Sequence, residues 1–114
     1  VNVDIHEIDG CAVITVHAEC LDAGNVQQFK KRAQEIIAGH AHIVIDITPV
    51  RFIDSAGLGA MLSCLRMAHA NGGKVALTGV TGSKQTLFQI VRMDRIFDVF
   101  PTPEAAARNL SKAE

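Results

Sequence analysis

The hydrophobic positions change period along the chain, and each period predicts an element. Val1, Val3, Ile5 and Ile8 alternate with Asn2, Asp4, His6 and Glu7, which predicts a half-buried strand over Val1–Ile8. Asp9-Gly10 is a two-residue hairpin signal, and the more apolar run Cys11–Ala18 returns beside the first strand. From Val26 the spacing becomes three and four. Val26, Phe29, Ala33, Ile36 and Ile37 fall on one side of a helix, with Gln27, Gln28, Lys30, Lys31, Gln34 and Glu35 on the other. Asp22 is the expected N-cap of that helix and Gly39 its expected terminal glycine. "HIVIDI" (His42–Ile47) is nearly continuous in β-branched residues, as suits a central strand buried on both faces.

A second helix is expected from Asp54-Ser55 to about Asn71, stopped by Gly72-Gly73, and a second central strand over Lys74–Gly79. Ser83 to about Met93 reads as a third helix with Leu87, Ile90 and Val91 inward, and Ile96–Phe100 as a short strand. Thr102-Pro103-Glu104 opens a last helix that runs to the C-terminus, with a threonine cap and proline in the first turn. The order β-β-α-β-α-β-α-β-α predicts an α/β fold. Its central sheet is mixed, mostly parallel, opens with an antiparallel hairpin, and carries about four flanking helices. With 114 residues and no linker or repeat, a single domain over 1–114 is expected. The chain begins with Val, so an initiator Met or more is expected to have been trimmed or left unnumbered.

Charge and composition exclude several functions. Eleven Lys and Arg against twelve Asp and Glu give a net charge of −1, so bulk charge draws neither nucleic acid nor an anionic membrane. The one basic cluster, Lys30-Lys31-Arg32, lies on the wet side of a helix. Trp and Tyr are absent, so a partner surface must rely on aliphatic residues or Met. Cys11, Cys20 and Cys64 are too far apart for a zinc knuckle and odd in number for a disulfide framework, which points to reduced thiols and a cytoplasmic protein. No apolar run approaches the roughly 18 residues of a membrane span, so direct membrane insertion is not expected. His40 and His42 are expected on one side of a strand without a third ligand, hence solvated rather than metal-binding, and Cys64 as a small hydrophobe. No metal or cofactor is expected.

The stretch "FIDSAGLGAML" (Phe52–Leu62) holds the one chemical question. Asp54 and Ser55 are both good helix caps, and a capping role accounts for either. A nucleophile elbow needs Gly two residues before the serine, where Ile53 stands, and no histidine lies near in sequence. Gly57 and Gly59 begin a dinucleotide fingerprint that Leu62 fails to complete, and "GVTGSK" has the wrong order for a phosphate loop. The helix itself says more. Leu58, Met61, Leu62 and Leu65 are expected on its core side, leaving Ala56, Gly59, Ala60, Ser63 and Met67 outward, with Cys64 at the edge and no charge. Such a face is either covered by a neighbouring helix or is a docking surface with Ser55 at its rim. A phosphate on Ser55 would add nearly two negative charges beside Asp54. The helix N-terminus tolerates an anion, while a partner that must desolvate that spot does not.

"LDAGN" (Leu21–Asn25), "IVIDIT" (Ile43–Thr48), "FIDSAGLGAML", "NGGKVALTGV" (Asn71–Val80) and "MDRIFDVFPTPEAA" (Met93–Ala106) together resemble the STAS domain in its stand-alone bacterial form, the anti-sigma factor antagonist. "DSAGLG" is the specific element. Asp54, Ser55, Gly57, Leu58 and Gly59 match it directly, Asp22 and Asn25 match the "LDAxN" segment, and "AEC" (Ala18–Cys20) departs from the usual Gly-Glu or Gly-Arg lead-in.

The resemblance implies that Ser55 is the phosphorylation site. Its motif positions Asp22, Asn25, Asp54, Ser55, Gly57 and Gly59, taken with the uncharged helix face of Ala56, Gly59, Ala60, Ser63 and Met67, give the expected partner-binding surface. The implied partners are an anti-sigma factor with serine kinase activity, bound by the unphosphorylated form so that sigma factor is released, and a PP2C-type phosphatase that resets the switch. The protein is then a substrate and binding module, not an enzyme. The alternative is a constitutive STAS subunit of a lipid-transport ABC system or a signalling assembly.

Overall fold

The computed structural model describes residues 2–112, so the expectations for Val1 and for the last two residues of the chain lie outside the described residues. Strands β1 (Asn2–Ile8) and β2 (Cys11–His17) form the predicted hairpin. Its turn residues Asp9 and Gly10 have φ of 52° and 82°, the positive values that let a two-residue turn match the strand twist. A short strand β3 (Cys20–Leu21) precedes helix α1 (Val26–Ala38), and β4 (His42–Asp46) follows it. Then come β5 (Phe52–Ile53), α2 (Ser55–Ala70), β6 (Lys74–Thr78), α3 (Ser83–Ile90), a 3₁₀ turn at Met93–Arg95, β7 (Asp98–Phe100) and α4 (Pro103–Lys112).

Five strands form one sheet in the order β1-β2-β4-β6-β7, antiparallel between β1 and β2 and parallel elsewhere. From β2 onward the chain steps across the sheet in one direction. Crossovers of one hand therefore place α1, α2 and α3 on the same face. Alternation along the strands divides the core accordingly. Ala12, Ile14, Ile43, Ile45, Val75 and Leu77 pack toward those three helices. Cys11, Val13, Val44 and Ala76 pack against Ala106, Ala107 and Leu110 of α4 on the other face. Thr102 caps α4 as expected, its hydroxyl accepting from Ala105 N–H at 3.1 Å. Because the strand order never reverses among the described residues, the sheet lacks the switch-point crevice where doubly wound sheets hold nucleotides.

Several local expectations are corrected. α1 begins at Val26 with Asn25 in the capping position, and Asp22 instead closes the turn before it, its carboxylate accepting from Gly24 N–H at 2.9 Å. Gly39 follows α1 with φ of −102°, not in the left-handed region. α3 stops at Ile90, because Arg92 takes a left-handed conformation (φ 65°) and turns the chain into the 3₁₀ segment. Val91, past the helix end, and Ile90, on the side of α3 away from the buried Lys84 and Phe88, were expected inward and are exposed. The last strand is shorter than "IFDVF", since Phe97 packs into the core from the turn. His42 opens β4 in a buried position rather than a solvated one. His40 lies in the preceding turn, so the two histidines do not share a strand.

The largest correction concerns α2. Its buried side is Gly57, Ala60, Met61, Cys64 and Ala68, while Leu58, Leu62 and Leu65 are only half-buried. The core stripe is turned about a quarter turn from the leucine stripe. Small residues let the helix axis approach the sheet and α1, and the leucines cover the flank. Ala60 and Gly57, placed on the partner surface by sequence, are thus core residues. Cys64 is fully buried, and burial pushes its thiol up to about 12.

Candidate functional site

A feature absent from the sequence reading assembles the site. β3 and β5 pair in parallel, with Cys20 opposite Phe52 and Leu21 opposite Ile53. Arg51 and Phe52 N–H both donate to the Glu19 carbonyl, at 2.8 and 3.2 Å, and Asp54 N–H donates to the Leu21 carbonyl at 3.3 Å. This two-stranded pair brings "LDAGN" against "DSAGLG", with Ala23 and Asp54 in contact across 31 residues of sequence. Gly57 completes the junction. A β-carbon there would overlap the Leu21 carbonyl and stand 2.8 Å from Ile53 Cγ2, so only glycine permits the approach. A glycine in the first turn of a helix contradicts local propensity, and that conflict was the readable signal for a close contact.

Asp54 is the N-cap of α2. Its Oδ1 accepts from Gly57 N–H at 2.9 Å, and its Oδ2 from Ala23 N–H at 3.3 Å. One carboxylate thus satisfies an orphan donor of the helix and ties the 22–25 turn to it. The turn is stiffened from within. Asn25 accepts from Asp22 N–H at 3.0 Å and donates to the Cys20 carbonyl at 2.7 Å. Cys20 Sγ donates to Asp22 Oδ2 at 3.1 Å, and that hydrogen bond leads the effects that raise the thiol above its ordinary range.

Ser55 is the first residue of α2, exposed, and relieved of the capping role by Asp54. Ser55, Gly59 and Arg66 form the exposed stripe of the helix, with Ala56, Leu62 and Ser63 half-buried beside it. The outward face is therefore uncharged for two turns and then meets Arg66. Ser63 turns its hydroxyl back onto the Gly59 carbonyl at 3.1 Å. Met67 lies with Gln34, Ile37 and Asn71 along the α1–α2 seam, away from Ser55. Phe52, 61% exposed on β5, lines a hollow with Arg51, Ile53, Ser83, Lys84 and Leu87. The structure thus groups Asp22, Asn25, Asp54, Ser55, Ala56 and Gly59 at one end of the molecule, and separates Gly57, Ala60 and Met67 from that surface.

Lys84 was also missed. Its ammonium is buried and donates to the Ile47 carbonyl at 2.7 Å, fastening α3 to the β4–β5 connection that leads to Ser55. Burial lowers its affinity for the proton, with Asp46 acting the other way. A lone lysine near a helix start carries no sequence mark of such a role.

Solved structures share this architecture. An anti-sigma factor antagonist from Mycobacterium paratuberculosis superimposes with a TM-score of 0.85 at 18% identity, covering 96% of this chain and 92% of that one. The phosphorylated form of SpoIIAA, a cell fate determinant of Bacillus, matches with a TM-score of 0.70 at 21% identity over 95% of this chain and 99% of that one. The murine anion transporter Slc26a9 contains the same fold, with a TM-score of 0.74 at 21% identity, covering 96% of this chain and 19% of the transporter. Among the described residues no helix is long and apolar enough to cross a membrane. The STAS domain family matches residues 2–106, and the chain belongs to that family.

Proposed function

We propose that this protein is an anti-sigma factor antagonist whose binding is switched by phosphorylation of Ser55. The observation that carries the reading is the division of labour at the start of α2. Asp54 caps the helix and holds the 22–25 turn, so the exposed Ser55 hydroxyl is not needed for the fold. A serine with no structural task, at the rim of a surface uncharged for two turns, is free to carry a regulatory group. Similarity to solved antagonists, including one in a phosphorylated form, supports the same reading.

The physical chemistry of the switch follows from that geometry. A phosphate on Ser55 gains from the helix N-terminus, whose first N–H groups face it. It also stands beside the Asp54 and Asp22 carboxylates, which already occupy the Gly57, Ala23 and Gly24 donors. The phosphate therefore remains solvated, and a partner that buries Ser55 must strip that hydration from a doubly charged group. Binding is lost while the fold persists. In this scheme the unphosphorylated form binds an anti-sigma factor with serine kinase activity and frees the sigma factor. A PP2C-type phosphatase restores the bound state, and the protein performs no catalysis of its own.

Incubation with ATP and a bacterial extract, followed by mass-spectrometric mapping, tests the assignment. Phosphate is expected on Ser55 and absent from Ser55→Ala, and phosphate on another residue alone would refute it. A second reading, a constitutive subunit of a larger assembly, draws on the STAS fold forming a minor part of an anion transporter. In that case Ser55 stays unmodified.

A further inference from the structure

β1 is the terminal strand of the main sheet, seven residues long, and no other strand covers its outer edge among the described residues. The hairpin turn fixes which backbone groups lie on that edge. A two-residue turn makes Ile8 and Cys11 a hydrogen-bonded pair, so His6, Asp4 and Asn2 also direct their backbone groups at β2. Val3, Ile5 and Glu7 direct theirs outward. An edge of this kind is a template for another strand, and soluble proteins usually block it with charge, proline or a bulge. Here the polar side chains are the Asp4 and Glu7 carboxylates and the His6 imidazole, and Ile5 is 37% exposed between them.

The order of those residues is self-complementary. If a second β1 lies antiparallel with the two-fold axis at Ile5, the two Ile5 residues face each other. Val3 then faces Glu7, and Asp4 faces His6, each twice. All three outward residues, Val3, Ile5 and Glu7, find hydrogen-bonded partners in this register, giving two backbone bonds per facing pair. The Asp4 carboxylate meets the His6 imidazole across the strands, an acceptor against a donor, rather than another carboxylate. Asp4 gives one carboxylate oxygen to His17 Nε2 at 2.7 Å within its own chain, and Oδ1 is left for the second copy's His6. Shifting the axis by two residues to Glu7 sets glutamate against glutamate and shortens the overlap. The register about Ile5 thus gives Asp4 and His6 a partner in the second copy, while Glu7 keeps His40 of its own chain at 3.1 Å.

We propose that β1 is a homodimerisation strand, pairing antiparallel with β1 of a second copy about Ile5 to make a continuous ten-stranded sheet. The contacts that hold Ser55 come from residues 19–25 and 51–57, none of them on β1. The dimer therefore presents two independent Ser55 surfaces, and the inference does not depend on what binds there.

Sedimentation velocity over micromolar to millimolar concentrations tests it. The wild-type chain is expected to move from a 12.2 kDa species to one of twice that mass. Ile5→Lys and His6→Asp should each weaken association by at least about tenfold, since they set ammonium against ammonium and carboxylate against carboxylate. Asp4→His should weaken it by setting imidazole against imidazole with no carboxylate to accept. The two charge variants should recover when mixed. A His6→Asp chain offers carboxylates to the imidazoles of an Asp4→His chain at both pairs, and a heterodimer forms where neither chain dimerises alone. Recovery on mixing also shows that both variants are folded. A wild-type chain that stays monomeric throughout overturns the proposal, as does a dimer that Ile5→Lys leaves intact. A mixture that remains monomeric overturns the register.

Discussion

Gly57 in the first turn of α2 sits so close to the carbonyl of Leu21 that no β-carbon fits between them. That contact joins two segments remote in sequence, and it makes the two glycines of "GLG" unequal. Gly57→Ala forces the β3–β5 pair apart and is expected to cost about 1–3 kcal/mol of unfolding free energy. Gly59 faces open space, so Gly59→Ala is expected to stabilise by about 0.5–1 kcal/mol through helix propensity. Urea denaturation of the two variants measures the difference and its opposite signs.

Asp54 acts on two partners at once. Asp54→Ala is expected to lose about 1–2 kcal/mol, the usual scale for a helix cap. A cap alone, however, would loosen only α2. Because Oδ2 also holds Ala23, hydrogen exchange should accelerate at both the Gly57 and Ala23 amides. Acceleration at Gly57 without Ala23 would show that the tether to the turn is not formed.

The fold was legible where hydrophobic period and turn chemistry agree, as in the Asn2–His17 hairpin, the β4 and β6 core strands and the Thr102 cap. It was misread where residue size stood in for burial. On α2 the leucines looked like the core, yet close packing against the sheet and α1 selects Gly57, Ala60, Cys64 and Ala68. On α3 the buried stripe runs through Lys84 and Phe88, so Ile90 points outward, and the left-handed Arg92 ended the helix before Val91 could turn inward. The serine and its aspartate were visible as a motif, and their division of roles was not. Which of two capping residues caps is decided by backbone geometry, and the strand pair that sets it is only two residues long on each side.

Lys84 ties α3 to the approach to Ser55 through the Ile47 carbonyl. Lys84→Ala removes one of the two donors to that carbonyl, leaving Val50 N–H at 3.0 Å, and is expected to cost about 1 kcal/mol. Exchange protection should fall in the Ile47–Phe52 connection more than in α1. Equal loss across the chain would indicate a general packing defect instead.

His40 provides a pH dependence with a defined sign. Its Nδ1 faces the Ile36 carbonyl at 2.9 Å and its Nε2 the Glu7 carboxylate at 3.1 Å, two acceptors that only the imidazolium can satisfy together. The backbone bond first, and Glu7 second, raise its affinity for the proton above the ordinary value. A group raised in the folded state stabilises fully below its unfolded pKa of about 6.5, and that contribution is lost as pH rises through the folded value. The stability difference between wild type and His40→Ala should therefore be largest near pH 5.5 and shrink by pH 8. A difference that grows with pH would contradict the pairing.

The central proposal is that Ser55, freed from capping by Asp54, controls partner binding through the charge of a phosphate on its hydroxyl. The direct measurement is capture from native cell extract on immobilised wild-type, Ser55→Ala and Ser55→Asp protein, followed by ATP. The account predicts that wild type and Ser55→Ala retain the same anti-sigma factor, that Ser55→Asp does not, and that ATP elutes it from wild type alone. Equal capture by all three forms, with no release by ATP, would contradict it.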